Sequence, residues 1–427
     1  MTDPTRTEPL PTGVAAWERA AAAVLRKSGR LAADAPDEAV WEKLTRRTLD
    51  GLSIPPLGLP GAATHRPPLG RLADAWDVRV SSTGGPDAVA ALETGANSLW
   101  LTVPAGAEAA WYDEALSGVL LDLAPVVLGA ADVPAARNYL DWLTALGVRA
   151  AAGGGLGLDP AGDWLRAALG TAGETTSADP ADTELVATEP AAAAELAAAA
   201  LAAGLTTFTV DGTAVHDAGG SDAWEVAVSL AIAVSYLRAL EAVGLDSTAA
   251  FAAIDFRYAV TDEQFPSIAK LRAARVCWER IGQLSGVAGA SQRQHAVTSR
   301  PMMTRYDPWV NLLRTTVAAF AAGVGGADAI TVLPYDAALG EPDAAAHRWA
   351  RNISALLISE SHVGVVADPA GGSFAVESLT DQLAATAWAH FQSIEEAGGL
   401  PAALGLIAEA VAQTRAERAA LVARRRL

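Results

Sequence analysis

From Trp76 onward the chain alternates short apolar segments with long alanine- and leucine-rich ones, and this alternation limits the fold more than any other feature. The strand candidates are "WDVRVSS", "SLWLTV", "PVVLGA", "VRAAAG", "TTFTVDG", "AAIDFRYAV", "SQRQHAVTS" and "AITVLPY". Helical stretches separate nearly all of them. One of these, "DAWEVAVSLAIAVSYLRALEAVG", is apolar almost all round and is therefore expected to be buried. Repeated strand–helix units imply a parallel sheet, and eight of them predict a closed (β/α)8 TIM barrel. "TELVATE" is a possible ninth strand, and an open doubly wound sheet is the alternative. The run "EPAAAAELAAAALAAG" has the look of low complexity, but alanine is the strongest helix former and the run stands where a barrel helix belongs.

Residues 1–75 read as a separate N-terminal helical arm and strap, and residues 76–427 as the barrel with C-terminal helices. The arm holds two helical segments, "GVAAWERAAAAVLRKSG" and "DEAVWEKLTRRTLDG", followed by "SIPPLGLPGAATHRPPLG". Prolines at that density stop helices and strands alike, so the connector is an extended strap. The arm's apolar faces, with Trp17 and Trp41, are expected to need a partner outside the barrel.

A hydrophobic fraction of 51% excludes disorder and supplies a sizeable core. The formal net charge of −18 argues against nucleic acid, because phosphate binding needs a positive field. Apolar runs are short and followed by charge, which predicts no membrane span. "MTDPTRTEPLPTG" has no apolar h-region, which points away from a secretory signal and towards the cytoplasm. The single cysteine, Cys277, excludes an internal disulfide and reads as a packed helix residue.

In a barrel of this type chemistry sits at the C-terminal ends of the strands. Within "SQRQHAVTS" the alternation puts Arg293, His295 and Val297 on one face. Arg293 and His295 are the candidate binding residues at the barrel mouth, able to hold an anionic ligand or move a proton, or else a satisfied polar pair. Metal chemistry is not expected: His65, His216, His295, His347, His362 and His390 stand at no zinc-like spacing. "GGGLGLDPAGD" reads as a strand-to-helix turn. His216 and Asp217, in "VDGTAVHDAGG", read as a solvated loop or a helix cap.

Three long blocks give the sequence its affinity. "RYAVTDEQFPSIAKLRAARVCWERIG", "SRPMMTRYDPWVNLLRTTVAAFAAGVGGADAITVLPYDAALG" and "RNISALLISESHVGVVADPAGGSFAVESLTDQLAATAWAHFQSIEEAGG" together resemble the methylmalonyl-CoA mutase family. The resemblance is strong over residues 257–399, moderate over 206–246, and rests on order and length before 204. Within the family the second block is similar to the small, or beta, subunit. The resemblance implies a (β/α)8 barrel followed by a flavodoxin-like cobalamin domain. It also implies a radical rearrangement between methylmalonyl-CoA and succinyl-CoA, started by adenosylcobalamin.

Departures from the family pattern refine that expectation. Catalytic subunits carry a tyrosine–histidine pair after the glycine that is Gly212 here, and this chain has Thr213 and Ala214 instead. No catalytic residue is therefore expected, although Arg293 and His295 match positions on the catalytic subunit's corresponding strand. The cobalt-ligating Asp-x-His-x-x-Gly loop does not occur before Leu427, so no C-terminal cobalamin domain is expected. The reading is a non-catalytic small subunit in a heterodimer. Adenosylcobalamin would sit on the catalytic large subunit, with none bound by this chain alone and an acyl-CoA as a possible ligand. The alternatives are an active substrate-binding subunit of a split, isobutyryl-CoA-type mutase and a free-standing structural barrel.

Overall fold

The computed structural model describes residues 13–60, 66–71, 75–171 and 185–424, with side chains omitted at 185–188. Eight parallel strands close into a barrel: β3 (Asp77–Ser82), β4 (Ser98–Thr102), β5 (Val126–Gly129), β6 (Gly155–Leu158), β7 (Thr206–Asp211), β8 (Ile254–Val260), β9 (Gln294–Thr298) and β10 (Ala329–Thr331). They follow one another around the wall in chain order, and β10 pairs with β3 to close it. The (β/α)8 barrel expected from the strand–helix alternation is the fold.

One strand lies elsewhere than the sequence suggested. Residues 148–153 form no strand, and β6 comes from the glycine-rich segment that reads as a turn. Glycine is a poor strand former, but here the geometry demands it. Gly157 has φ +64°, and a Cβ there would fall 1.8 Å from the Leu128 carbonyl oxygen on β5. "TELVATE" adds no ninth strand within the described residues, because Leu185–Ala194 is helical.

The helix Asp222–Ala242 packs against the helices Gln264–Leu284 and Phe374–Glu396. At 21 residues it is long and apolar enough to cross a membrane, contrary to the expectation that no run reaches that length. Two-thirds of its most apolar window is buried inside the protein, as befits a core helix.

The arm consists of α1 (Val14–Lys27), α2 (Ala39–Leu44) and a short hairpin, β1 (Arg46–Arg47) and β2 (Ser53–Ile54). Part of its apolar surface is covered within the arm itself, while Val14 and Val24 stay exposed. Trp17 and Trp41 meet at 4.9 Å between ring centroids, and Ala22, Leu25, Leu31 and Val40 form a small core of their own. Trp41 Nε1 donates to Glu18 Oε1 at 2.7 Å, so the indole is satisfied within the arm.

The strap that follows lies on the helix Phe374–Glu396. Gln382 bonds both the amide and the carbonyl of Ser53, and Arg66 pairs with Asp381 and Glu377 of the same helix. Gly58 passes so close that a Cβ would stand 2.4 Å from the Ala375 nitrogen.

Beneath the strap sits Arg272, fully buried, which pairs with Asp368 and, at 2.5 Å, with Glu377. Asp368 adopts a left-handed φ of 49° and also accepts from the Leu69 amide, tying strap to barrel. Deleting one member of a buried ion cluster strands its partners without solvent. Arg272→Met should therefore destabilise the protein by about 3–5 kcal/mol in urea unfolding. Adding Asp368→Asn and Glu377→Gln should recover most of the loss. A single variant as stable as the parent would show that the cluster is not what fastens the strap.

Candidate functional site

The strand ends and the barrel axis hold the chemistry-bearing side chains. Register places Asp211 of β7 opposite Arg257 of β8, and Arg257 opposite His295 of β9, so the three form one row around the wall. Arg257 Nη1 donates to Asp211 Oδ2 at 2.9 Å, and Arg166 meets the same oxygen at 2.9 Å. Arg257 Nε donates to His295 Nδ1 at 3.1 Å. From across the barrel, the Trp100 indole lies under the Arg257 guanidinium at 4.0 Å and meets the His295 ring edge-on at 5.5 Å. Trp100 has room because β5 ends in Gly129, where a Cβ would stand 2.4 Å from the indole nitrogen.

This row fixes the protonation of the axis. Burial would raise the Asp211 carboxyl, but the Arg166 and Arg257 guanidiniums hold it well below the usual range. His295 Nδ1 faces a group that can only donate, so it must be the bare nitrogen. Nε2 lies 2.7 Å from Thr331 Oγ1, whose own hydrogen goes to the Arg79 carbonyl at 2.9 Å. His295 is therefore the neutral Nε2–H tautomer. Burial, then Arg79, Arg257 and Arg293, push its pKa far below that of a free imidazole. With both nitrogens engaged, it has no proton to give a substrate.

The structure brings Arg293 and His295 together, though not at the C-terminal mouth where the sequence placed them. Arg293 precedes β9 and so stands at the opposite, N-terminal end, 3.6 Å from Asp77 at the start of β3. Its guanidinium occupies the space left by Gly153, at φ +105°, where a Cβ would fall 1.9 Å away. Arg293 and His295, with Arg79, Thr209 and Asp255, line a cavity of about 10 Å³, the room for one water. Barrel axes are usually filled by branched aliphatic residues, whereas this one is filled by ion pairs.

At the C-terminal mouth, β7 turns directly into a short helix, Thr213–Asp217. The Thr213 hydroxyl donates to Asp211 Oδ1 at 2.6 Å, and Ala214 is fully buried. His216 is not in a solvated loop. It is buried, with Nε2 2.7 Å from Ser299 Oγ and Nδ1 3.7 Å from Glu225. Burial, and then the nearby Lys270 ammonium, lower its pKa to about 3. Asp217 lies 3.5 Å from Arg300.

His216, Asp222 and Glu225 could together hold a metal ion by distance, a convergence that no spacing in the sequence announced. The fully buried Lys270 ammonium lies 2.8 Å from Asp222 and 2.6 Å from Glu225, so both carboxylates already have a cation. Asp159, at the end of β6, accepts from the Asp211 amide at 2.9 Å and from the Tyr236 hydroxyl at 2.6 Å. Burial, and then Asp163, push its pKa up to about 7.

Among the described residues no histidine has the setting of a cobalt ligand. A cobalt ligand needs a histidine with one free ring nitrogen and a carboxylate behind the other. Among the described residues only His216 has a carboxylate within 4 Å of its ring, and its second nitrogen is held by Ser299. His65 lies outside the described residues. The cavity beside Arg293 and His295 is water-sized, smaller than a pantetheine arm. Sequence reasoning missed Trp100, Arg79, Arg166 and Asp211 as members of this closure. Alternation within "SLWLT" does place Trp100 on one face with Ser98, but nothing local shows that an indole will reach across to Arg257.

Fold and axis thus define a (β/α)8 barrel closed along its axis by its own ion-paired side chains. The family profile of methylmalonyl-CoA mutase matches residues 192–427. The methylmalonyl-CoA mutase small subunit of Streptomyces virginiae is 46% identical over 96% of this chain and 68% of its own length. That of Propionibacterium freudenreichii subsp. shermanii is 38% identical over 91% of this chain and 62% of its own. The large subunit of Streptomyces virginiae is 36% identical over 49% of this chain and 30% of its own. The chain belongs to the methylmalonyl-CoA mutase family.

The two buried histidines set an acid limit. Both fold as neutral rings and would bind protons only after unfolding. Their contribution to stability is present above the unfolded pKa of about 6.5 and is lost as pH falls below it. In nitrogen-detected NMR, His295 should keep the Nε2–H tautomer unchanged from pH 8 to pH 5. A His295 resonance titrating near pH 6.5 would mean that the axis is open to water.

Proposed function

We propose that this chain is the non-catalytic small subunit of an adenosylcobalamin-dependent methylmalonyl-CoA mutase, paired in a heterodimer with a catalytic large subunit. The observation that carries the reading is the closed axis: Arg166, Asp211, Arg257, His295 and Trp100 satisfy one another where an acyl-CoA would have to lie. Admitting a pantetheine arm would mean separating buried ion pairs, at a cost of several kcal/mol for each uncompensated charge. Substrate and cofactor then belong on the partner. Arg293 and His295 act within this closure and do not touch substrate. The barrel's contribution to the isomerisation is a rigid surface for the large subunit. The names of its small-subunit relatives support the same role.

The isolated chain should give no turnover of methylmalonyl-CoA with adenosylcobalamin, and no shift of the corrin spectrum at micromolar protein. Turnover should come with the large subunit, co-eluting one-to-one. Turnover by the isolated chain above the enzyme-free blank would sink this reading in favour of a split acyl-CoA mutase.

A further inference from the structure

The barrel wall closes where β10 meets β3, and this seam is short. Only Ala329 and Ile330 register with β3, opposite Asp77 and Val78, whereas β3 and β4 share four pairs. Past that point the strands part, and the Arg79 carbonyl accepts from the Thr331 hydroxyl at 2.9 Å. Arg79 and Thr331 point to the axis, so alternation turns Val78, Val80 and Val332 the other way, towards the helix Ala344–Ser359.

Between the open seam and that helix lies a cavity of about 40 Å³. A single water needs about 10–15 Å³ by the same measure, so the space suits a molecule of a few heavy atoms. It belongs to the outer layer of the fold, on the far side of the wall from the ion-paired axis. Val78, Val80, Val332 and Leu333 make its walls apolar, while His347 and Arg351, one turn apart on the helix, bring polar chemistry to it.

Arg351 shows what kind of ligand fits. It is half-buried, and its Nε is shut off from solvent with no hydrogen-bond partner among the described residues. Burial, and then the Arg348 guanidinium, lower its pKa, and no carboxylate opposes them. A guanidinium drawn out of water and left without an anion costs the fold free energy, which a ligand carboxylate would offset. Its planar edge presents parallel N–H groups that match two carboxylate oxygens. Valine and leucine walls suit an alkyl group and would leave the further oxygens of phosphate unsatisfied.

We propose that the cavity between the β3–β10 seam and the helix Ala344–Ser359 binds a short-chain carboxylate, with its oxygens on Arg351 and its alkyl group against the valines. A ligand there spans the seam at which the barrel closes. Because the site exists only in the folded chain, occupancy raises the melting temperature.

The test melts the full-length chain in sodium acetate and sodium propionate, against sodium chloride and sodium phosphate at equal ionic strength. Arg351→Gln removes the charge without stranding a partner, so it should fold and melt no lower than the parent. The expected result is a saturable rise in Tm of the parent with either carboxylate. The Kd should be on the order of millimolar, as suits so small a ligand, and roughly tenfold or more weaker in Arg351→Gln. Methyl NMR gives a second readout: acetate should shift the methyl resonances of Val78, Val80 and Val332 and leave those of Leu123, exposed before β5, in place. No saturable rise, or an equal one in Arg351→Gln, overturns the proposal. Phosphate binding as tightly as acetate would assign the cavity to inorganic anions and overturn the carboxylate reading. A melting temperature of Arg351→Gln well below the parent's would show that Arg351 already has a partner within the chain, and would overturn it too.

Discussion

The Arg257 guanidinium at the centre of the barrel is the interaction on which the rest depends. It joins three strands and one indole: Asp211 on β7, its own β8, His295 on β9 and Trp100 on β4. The guanidinium is planar and directs Nη1 to Asp211 and Nε to His295 while its face rests on Trp100. Arg166 adds a second positive charge on Asp211 from the helix after β6, so the closure extends from the axis to the outer layer. The histidine is neutral because burial, and then the surrounding arginines, disfavour its charge, and the Arg257 donor takes its Nδ1.

The same logic recurs further out. Lys270 and Arg272 are two residues apart on one helix and both fully buried, yet they serve different neighbours. Lys270 binds Asp222 and Glu225 at the start of the helix after β7, beneath the mouth. Arg272 binds Asp368 and Glu377 beneath the strap. Burial opposes the charge on each, and opposed carboxylates restore it. The barrel is thus held by polar clusters at its axis, its mouth and its strap side, with the aromatic and aliphatic core packed between them.

Much of this was legible in the sequence, and the failures have physical causes. Alternation located seven of the eight strands because each carries apolar residues at the spacing of a buried parallel strand. The exception, β6, is built from "GLGL" because it presses on β5, and propensity reads such glycines as a turn. Thr213 and Ala214 stand at the mouth, the threonine bonded to Asp211 and the alanine buried. Local sequence could not say that His216 would be buried against Ser299, which lies 83 residues away. Nor could it show that Arg293 would lie at the end of the barrel opposite the mouth. Face can be read from alternation, but height along the axis depends on where the strand begins, and β9 begins at Gln294, just after Arg293.

A polar axis is not the most stable way to fill a barrel, because replacing a buried ion pair with well-packed apolar residues is often neutral or stabilising. Stability alone therefore does not account for the ion pairs. What they add is direction: each bond fixes one strand end against another, where aliphatic packing would tolerate small slips. The loops that leave those ends include the one after β9, which carries Tyr306, and the one after β10, which carries Tyr335, and Asn311 ties the two together. Fixing the axis therefore fixes the relative position of the exposed aromatics above it.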